Sequence, residues 1–188
     1  MDDEFIPIAP VEFFQIGVPC KKMGTKDKLA SSHYLLPNLS ALCGEEEFAK
    51  VYLGWSKEGI HCLADVHKGI QQVYYPTIDR GDSIELMFDT RDVKTGGFNT
   101  RFCHHFFALP ESVEGHQAGE ITRFRTEDSH ELSDPKELKV KVKSGKYSYQ
   151  IEIFIPSHCL NGYDPDQFDR SENYLKSQKN AAHGHPDD

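Results

Sequence analysis

The sequence of 188 residues holds one Trp, five Cys and no apolar run longer than a few residues. A membrane-spanning helix needs about 20 consecutive apolar residues, so none is expected. Lys and Arg number 21 against 30 Asp and Glu, a formal net charge of −9. That balance argues against sequence-independent nucleic-acid binding, which relies on clustered basic residues to displace counterions. The opening Met-Asp-Asp-Glu-Phe is acidic and lacks the basic-then-apolar order of a secretory signal, so a cytoplasmic location is expected. The sequon Asn38-Leu39-Ser40 then reads as a chance match. Cys20, Cys43, Cys62, Cys103 and Cys159 are odd in number and contain no Cys-x-x-Cys pair. This excludes a zinc ribbon and disfavours a disulfide framework, leaving reduced thiols that pack as small hydrophobes. Also missing are a Gly-x-Ser-x-Gly elbow, a Gly-rich phosphate loop and a His-Glu-x-x-His pair, and no enzyme is expected.

What is present is aromatic bulk and a period of two. Twelve Phe and eight Tyr supply core volume, enough to offset the ordering entropy of a single domain. Val11–Val18 reads as a first strand and Lys21–Leu29 as a basic loop. Ala49–Trp55 and Gly59–Val66 flank the turn Ser56-Lys57-Glu58-Gly59. Ser83–Asp89 alternates, with Ile84, Leu86 and Phe88 on one face and Glu85 and Met87 on the other. Arg101–Leu109 follows. Val140 and Val142 alternate with Lys139, Lys141 and Lys143, and the return strand places Tyr149, Ile151, Ile153 and Ile155 inward. Cross-strand pairing there brings lysines near Glu152. Residues 111–137 read as a polar surface excursion, a short helix is conceivable over Glu45–Ala49, and disorder is expected from Arg170 onward. Seven or eight short strands with frequent turns predict an all-β antiparallel sandwich, immunoglobulin- or jelly-roll-like, over residues 1–169.

The order of three segments carries a family resemblance. A strand ending in Trp55 is followed by Gly59-Ile-His-Cys-Leu-Ala-Asp-Val66, then Gly81-Asp-Ser-Ile-Glu-Leu-Met-Phe-Asp89, then Tyr149-Gln-Ile-Glu-Ile-Phe-Ile-Pro156 with Leu160 beyond. From Glu46 to Asp166 this resembles the family 9 carbohydrate-binding modules and the wider DOMON-like sandwiches. The block Arg101-Phe-Cys-His-His-Phe-Phe-Ala-Leu-Pro110 is similar to that of compact single-domain bacterial relatives. The resemblance implies a non-catalytic module that binds a glycan or small polar molecule. Two departures stand out. Family 9 sugar sites pair aromatic walls, commonly Trp, whereas this chain has Trp55 alone at a position that packs. The family pattern also continues with further strands where Asp169-Arg170 leads here into a polar tail.

Sugars are held by aromatic faces against C–H surfaces and by charged or amide groups on hydroxyls. Tyr74, Tyr75, Asp82, Glu85, Arg101, His105 and Glu152 are accordingly the expected ligand-facing residues, with Glu85, Arg101, His105 and Glu152 on a shared non-core face. Asp89, Asp92, Asp164 and Asp166 cluster carboxylates near turns and are candidates for calcium, although neither group has EF-hand spacing. The DOMON-like resemblance brings haem into view, with Met87, His104 and His105 as strand residues that could face a pocket, but without a Cys-x-x-Cys-His attachment motif no haem or other cofactor is expected, calcium being the one possible ion. The alternative is a protein-interaction domain that retains the sandwich and presents an open strand edge to a protein partner.

Overall fold

Apolar residues at every second position decide which way each strand turns its side chains, and the packed faces follow that alternation. The structure is a computed structural model and describes residues 18–38, 40, 44, 46–93, 98–125 and 127–166. Its strands are β1 Lys21–Lys22, β2 Ala49–Ser56, β3 Gly59–Val66, β4 Ile84–Asp89, β5 Cys103–Val113, β6 His116–Glu120, β7 Lys139–Ser144 and β8 Tyr149–Pro156. They form a five-stranded sheet in the order β1-β2-β3-β8-β7 and a three-stranded sheet in the order β4-β5-β6. All pairings are antiparallel except β1 with β2. No helix among the described residues is long and apolar enough to cross a membrane.

The two sheets meet face to face. Ile60, Cys62, Ala64 and Val66 of β3 and Ile151, Ile153 and Ile155 of β8 pack with Phe106 and Ala108 of β5 and Ala118 of β6. Ile151, Ile153 and Ile155 are fully buried, each contributing about 1.5–3 kcal/mol relative to exposure. The expected antiparallel sandwich is therefore what the chain adopts, including the inward set of Ile84, Leu86 and Phe88. Lys141 lies directly opposite Glu152 across β7 and β8.

Three local readings differ and two fall outside. Lys21–Lys22 is not loop but pairs in parallel with Gly54 and Trp55. Residues 46–48 are not helical, and Ala49 begins β2. The stretch 111–137 is not all surface connection: β5 runs on to Val113, turns through Glu114 and Gly115 at positive φ, and returns as β6. Nothing in His116-Gln-Ala-Gly-Glu120 has high strand propensity, and the strand exists because Ala118 and Glu120 have buried places to occupy. The expected strand over residues 11–18 lies outside the described residues apart from Val18, which is not in a strand, and the tail from Arg170 lies outside them entirely.

Two buried tyrosines and one partly buried one tie loops to this frame. Tyr34 donates to Asp27 Oδ2 at 2.6 Å, Tyr149 to Asp82 Oδ1 at 3.3 Å and Tyr163 to the Ser56 carbonyl at 2.8 Å. Burial first, then the adjacent carboxylate, pushes Tyr34 and Tyr149 up to about 12, and burial pushes Tyr163 up as well. Folded values above the unfolded 10.0 mean the stability from these phenols is whole below that pH and is lost as pH rises towards 12. A spectrophotometric titration should therefore show three tyrosines that stay largely protonated at pH 11 in the folded chain and are largely ionised there in urea. Near-complete ionisation of all tyrosines at pH 11 without urea would contradict this bonding.

Candidate functional site

Outward positions on β3, β8 and β7 line up by register into three rungs: His61–Phe154–Lys139, Leu63–Glu152–Lys141 and Asp65–Gln150–Lys143. The inward neighbours of these residues fill the core, so the rungs form the outer face of the larger sheet. The turn over residues 23–30 borders this face. It is held by the Asp27 carboxylate, which accepts from the Gly24 N–H at 2.7 Å and from Tyr34, while Tyr34 and Leu29 pack on Leu63. Between turn and rungs lies a groove of about 870 Å³.

Its chemistry is mixed. The rings of His61 and Phe154 are 4.4 Å apart, and Lys139 Nζ lies 5.5 Å from the Phe154 ring centroid. Lys141 and Glu152 are 3.7 Å apart and both partly exposed, a pair worth little on its own, so both groups remain open to a ligand. Burial lowers the His61 pKa below the ordinary histidine value, against the pull of Glu152 and Glu58. Neutral His61 can then both donate and accept a hydrogen bond.

Glu152 is the sequence-predicted residue that stands in this groove. Glu85 and His105 project from the outer face of the smaller sheet, on the other side of the sandwich, with Glu85 Oε2 2.8 Å from His105 Nε2. Arg101 precedes β5 and pairs with Asp128. The Tyr75 ring stacks on His116 at 4.1 Å and covers a small apolar cluster of Ile78, Phe107 and Leu109. Tyr74 is exposed and donates to Gln72 at 2.5 Å. Asp82 accepts the Gln71 and Gln72 N–H groups at 2.8 and 3.0 Å and the Tyr149 hydroxyl, holding its loop to the core. The expected shared face is thus corrected: Glu152 is separated from Glu85, Arg101 and His105. Alternation identifies an outward position on each strand but does not say which sheet the strand joins.

The acidic turns and the haem set are likewise dispersed. Asp89 Oδ1 accepts the Arg91 N–H at 3.0 Å, and Asp166 lies 3.3 Å from Lys57. Among the described residues, Asp89, Asp92, Asp164 and Asp166 form no convergent group of three metal-ligating side chains. Met87 is 71% exposed and sits opposite His105 on the outer face, whereas His104 is buried on the inner face, so the three share no pocket.

Sequence reasoning missed a second constellation at the end of the smaller sheet. His104 and Glu120, inward on β5 and β6, meet His130 from the segment after β6. Glu120 Oε1 is 2.8 Å from His104 Nδ1, from His130 Nε2 and from the Thr122 hydroxyl, which donates to it. Glu120 Oε2 accepts the Ser133 N–H at 2.9 Å and the Ser133 hydroxyl at 2.8 Å. Burial alone would raise the Glu120 carboxyl, but the bonds from His104, Ser133, His130 and Thr122 outweigh it and hold the pKa at about 2. His104 stacks on Phe106, and its buried Nε2 has no hydrogen-bond partner among the described residues, a cost of about 1–3 kcal/mol. The period of two predicts that His104 faces opposite to His105, but no spacing signal links it to Glu120 or His130.

Among solved structures, the chain is similar to a family 9 carbohydrate binding module from Caldicellulosiruptor kristjanssonii in complex with cellotriose. The two are 18% identical, with a TM-score of 0.43, over 57% of this chain and 48% of that one. A second structure of such a module from the same organism, in complex with glucose, gives 18% identity and a TM-score of 0.43 over 57% of this chain and 49% of that one. The chain spans about half the length of these proteins. No family model and no curated protein matches it.

Proposed function

We propose that the protein is a non-catalytic binding module that holds a glycan or another small polar molecule on the outer face of its five-stranded sheet. The groove of about 870 Å³ carries this reading, because it sets the Phe154 and His61 rings beside Glu152, Gln150 and the lysine row of β7. Ligand sites commonly measure about 300–1,000 Å³ and combine apolar walls with a few polar groups. An aromatic ring can meet the C–H face of a sugar while a carboxylate, an amide and a neutral imidazole bond its hydroxyls. Lys139, Lys141 and Lys143 add charged donors, favouring an acidic saccharide over a neutral one of equal size.

A thermal-shift screen of neutral and acidic oligosaccharides tests the proposal. A true ligand at roughly 100 times its Kd stabilises the fold by about 2.7 kcal/mol. Glu152→Gln and Phe154→Ala should each weaken the hit by about tenfold or more, a loss of about 1.4 kcal/mol. A cooperative melt that no saccharide moves would overturn the reading in favour of a protein-interaction domain. A hit abolished by Tyr75→Ala yet indifferent to Glu152→Gln would overturn it too, and return the site to the Tyr74–Tyr75 loop.

A further inference from the structure

A neutral imidazole carries a single N–H. His130 Nδ1 lies 2.7 Å from the Arg101 carbonyl oxygen, and its Nε2 lies 2.8 Å from Glu120 Oε1. Both partners only accept. The Nδ1 contact uses the one proton of the neutral ring, so a cation must stand between Nε2 and Oε1, either a second ring proton or a metal ion. The rest of the cluster bears on which. With protons alone, His104, His130 and Thr122 converge on Oε1 and two Ser133 groups on Oε2. Oε1 alone then faces three donors for about two lone-pair directions, while the Ser133 hydroxyl has a second acceptor in the Cys159 carbonyl at 3.1 Å. A single ion in place of the two imidazole protons removes the surplus.

We propose that His104 Nδ1, Glu120 Oε1 and His130 Nε2 bind a divalent transition-metal ion of the zinc class. These atoms lie within 4.8 Å of one another. With bonds of about 2.1 Å, adjacent ligand atoms on zinc are about 3.0–3.4 Å apart, so the 2.8 Å N–O separations widen by a few tenths of an ångström while the two imidazole nitrogens, within 4.8 Å of each other, close by up to about 1.4 Å. Two imidazoles and one carboxylate suit zinc and its transition-metal neighbours, whereas calcium takes oxygen ligands. The outer contacts are those expected around ligands. His130 donates Nδ1–H to a backbone carbonyl, and the second Glu120 oxygen is fixed by Ser133. His104 makes its polar contact through Nδ1 alone, the same atom that would ligate the ion. A groove of about 790 Å³, lined by Glu120, His130, Ser133, Cys159 and Asn161, gives a path of entry. Three protein ligands leave a coordination position open towards it.

The full chain, stripped with EDTA and dialysed, should bind zinc at one equivalent in a chelator-competition titration. His130→Asn keeps a donor near the Nδ1 position and deletes the Nε2 ligand, and should weaken zinc by about ten- to a hundredfold. His183→Ala with His185→Ala, in the tail, should leave the affinity unchanged. On the unmutated chain, which bypasses any folding defect of the variants, zinc should shift the 15N resonances of His104 Nδ1 and His130 Nε2. Failure to bind one equivalent, native affinity in a folded His130→Asn chain, loss of binding in the tail variant, or 15N shifts confined to other histidines would each overturn the assignment.

Discussion

Replacing Glu120 by alanine is expected to destabilise the metal-free fold by about 3–5 kcal/mol, the range for removing one partner of a buried charge cluster. The side chain is inaccessible to solvent and serves four residues at once. Its loss strands the Ser133 N–H, the Thr122 hydroxyl proton and His104, whose other nitrogen is already unpartnered, while the Ser133 hydroxyl keeps the Cys159 carbonyl. Glu120→Gln should cost less, about 1–3 kcal/mol, because one amide oxygen still accepts while the amide nitrogen faces groups that also donate. Acid should reproduce the loss. The Glu120 carboxyl sits at about 2 when folded against 4.5 ordinarily, so its contribution is complete above pH 4.5 and drains as pH falls towards 2. That shift corresponds to about 3 kcal/mol, in line with the deletion. Urea unfolding in EDTA at pH 7 and pH 3, with an unchanged m-value, measures both. Glu120→Ala within 1 kcal/mol of the parent, by the usual scale of surface substitutions, would show that the cluster does not hold the sheet end together.

The difference between Glu120 and Glu152 explains how much of the molecule was legible in its sequence. Glu152 sits in an uninterrupted alternation from Tyr149 to Ile155, opposite another alternation of lysines, so strand, register and outward direction all follow from a two-residue period. Glu120 ends a strand whose residues have no strand preference, in a stretch whose polarity marks surface. Its burial depends on bonds from His104, sixteen residues earlier, and from His130 and Ser133 beyond it. Periodicity reports the direction of a side chain and is blind to such partners. For the same reason Tyr75 reads as an exposed wall while its ring is occupied by His116 and Phe107, contacts made only when β5 and β6 assemble.

Gly59→Ala is expected to destabilise the fold by about 3 kcal/mol or more, combining backbone strain with a steric clash. Gly59 has φ +146, where side chains are rarely tolerated, and an added Cβ would lie 2.1 Å from the Ile155 carbonyl oxygen. The oxygen cannot retreat cheaply. Gly59 pairs with Pro156 and Ile60 with Ile155, the Ser157 N–H donates to the Glu58 carbonyl at 2.7 Å, and Tyr163 clamps the same turn through Ser56. Gly115→Ala provides the control: φ is +84, yet nothing lies within 4 Å of the added methyl. It should cost about 1 kcal/mol from backbone strain alone. The difference between the two urea midpoints, at equal m-value, reads the clash together with the greater backbone strain at φ +146, and equal losses would refute it. The consequence reaches the groove. The His61–Phe154–Lys139 rung begins two residues from Gly59, so any separation of β3 from β8 that relieves the methyl also parts the two rings. Gly59→Ala should therefore weaken a saccharide that binds at Phe154 even where enough folded protein remains to measure it, whereas Gly115→Ala, on the other sheet, should leave that affinity unchanged.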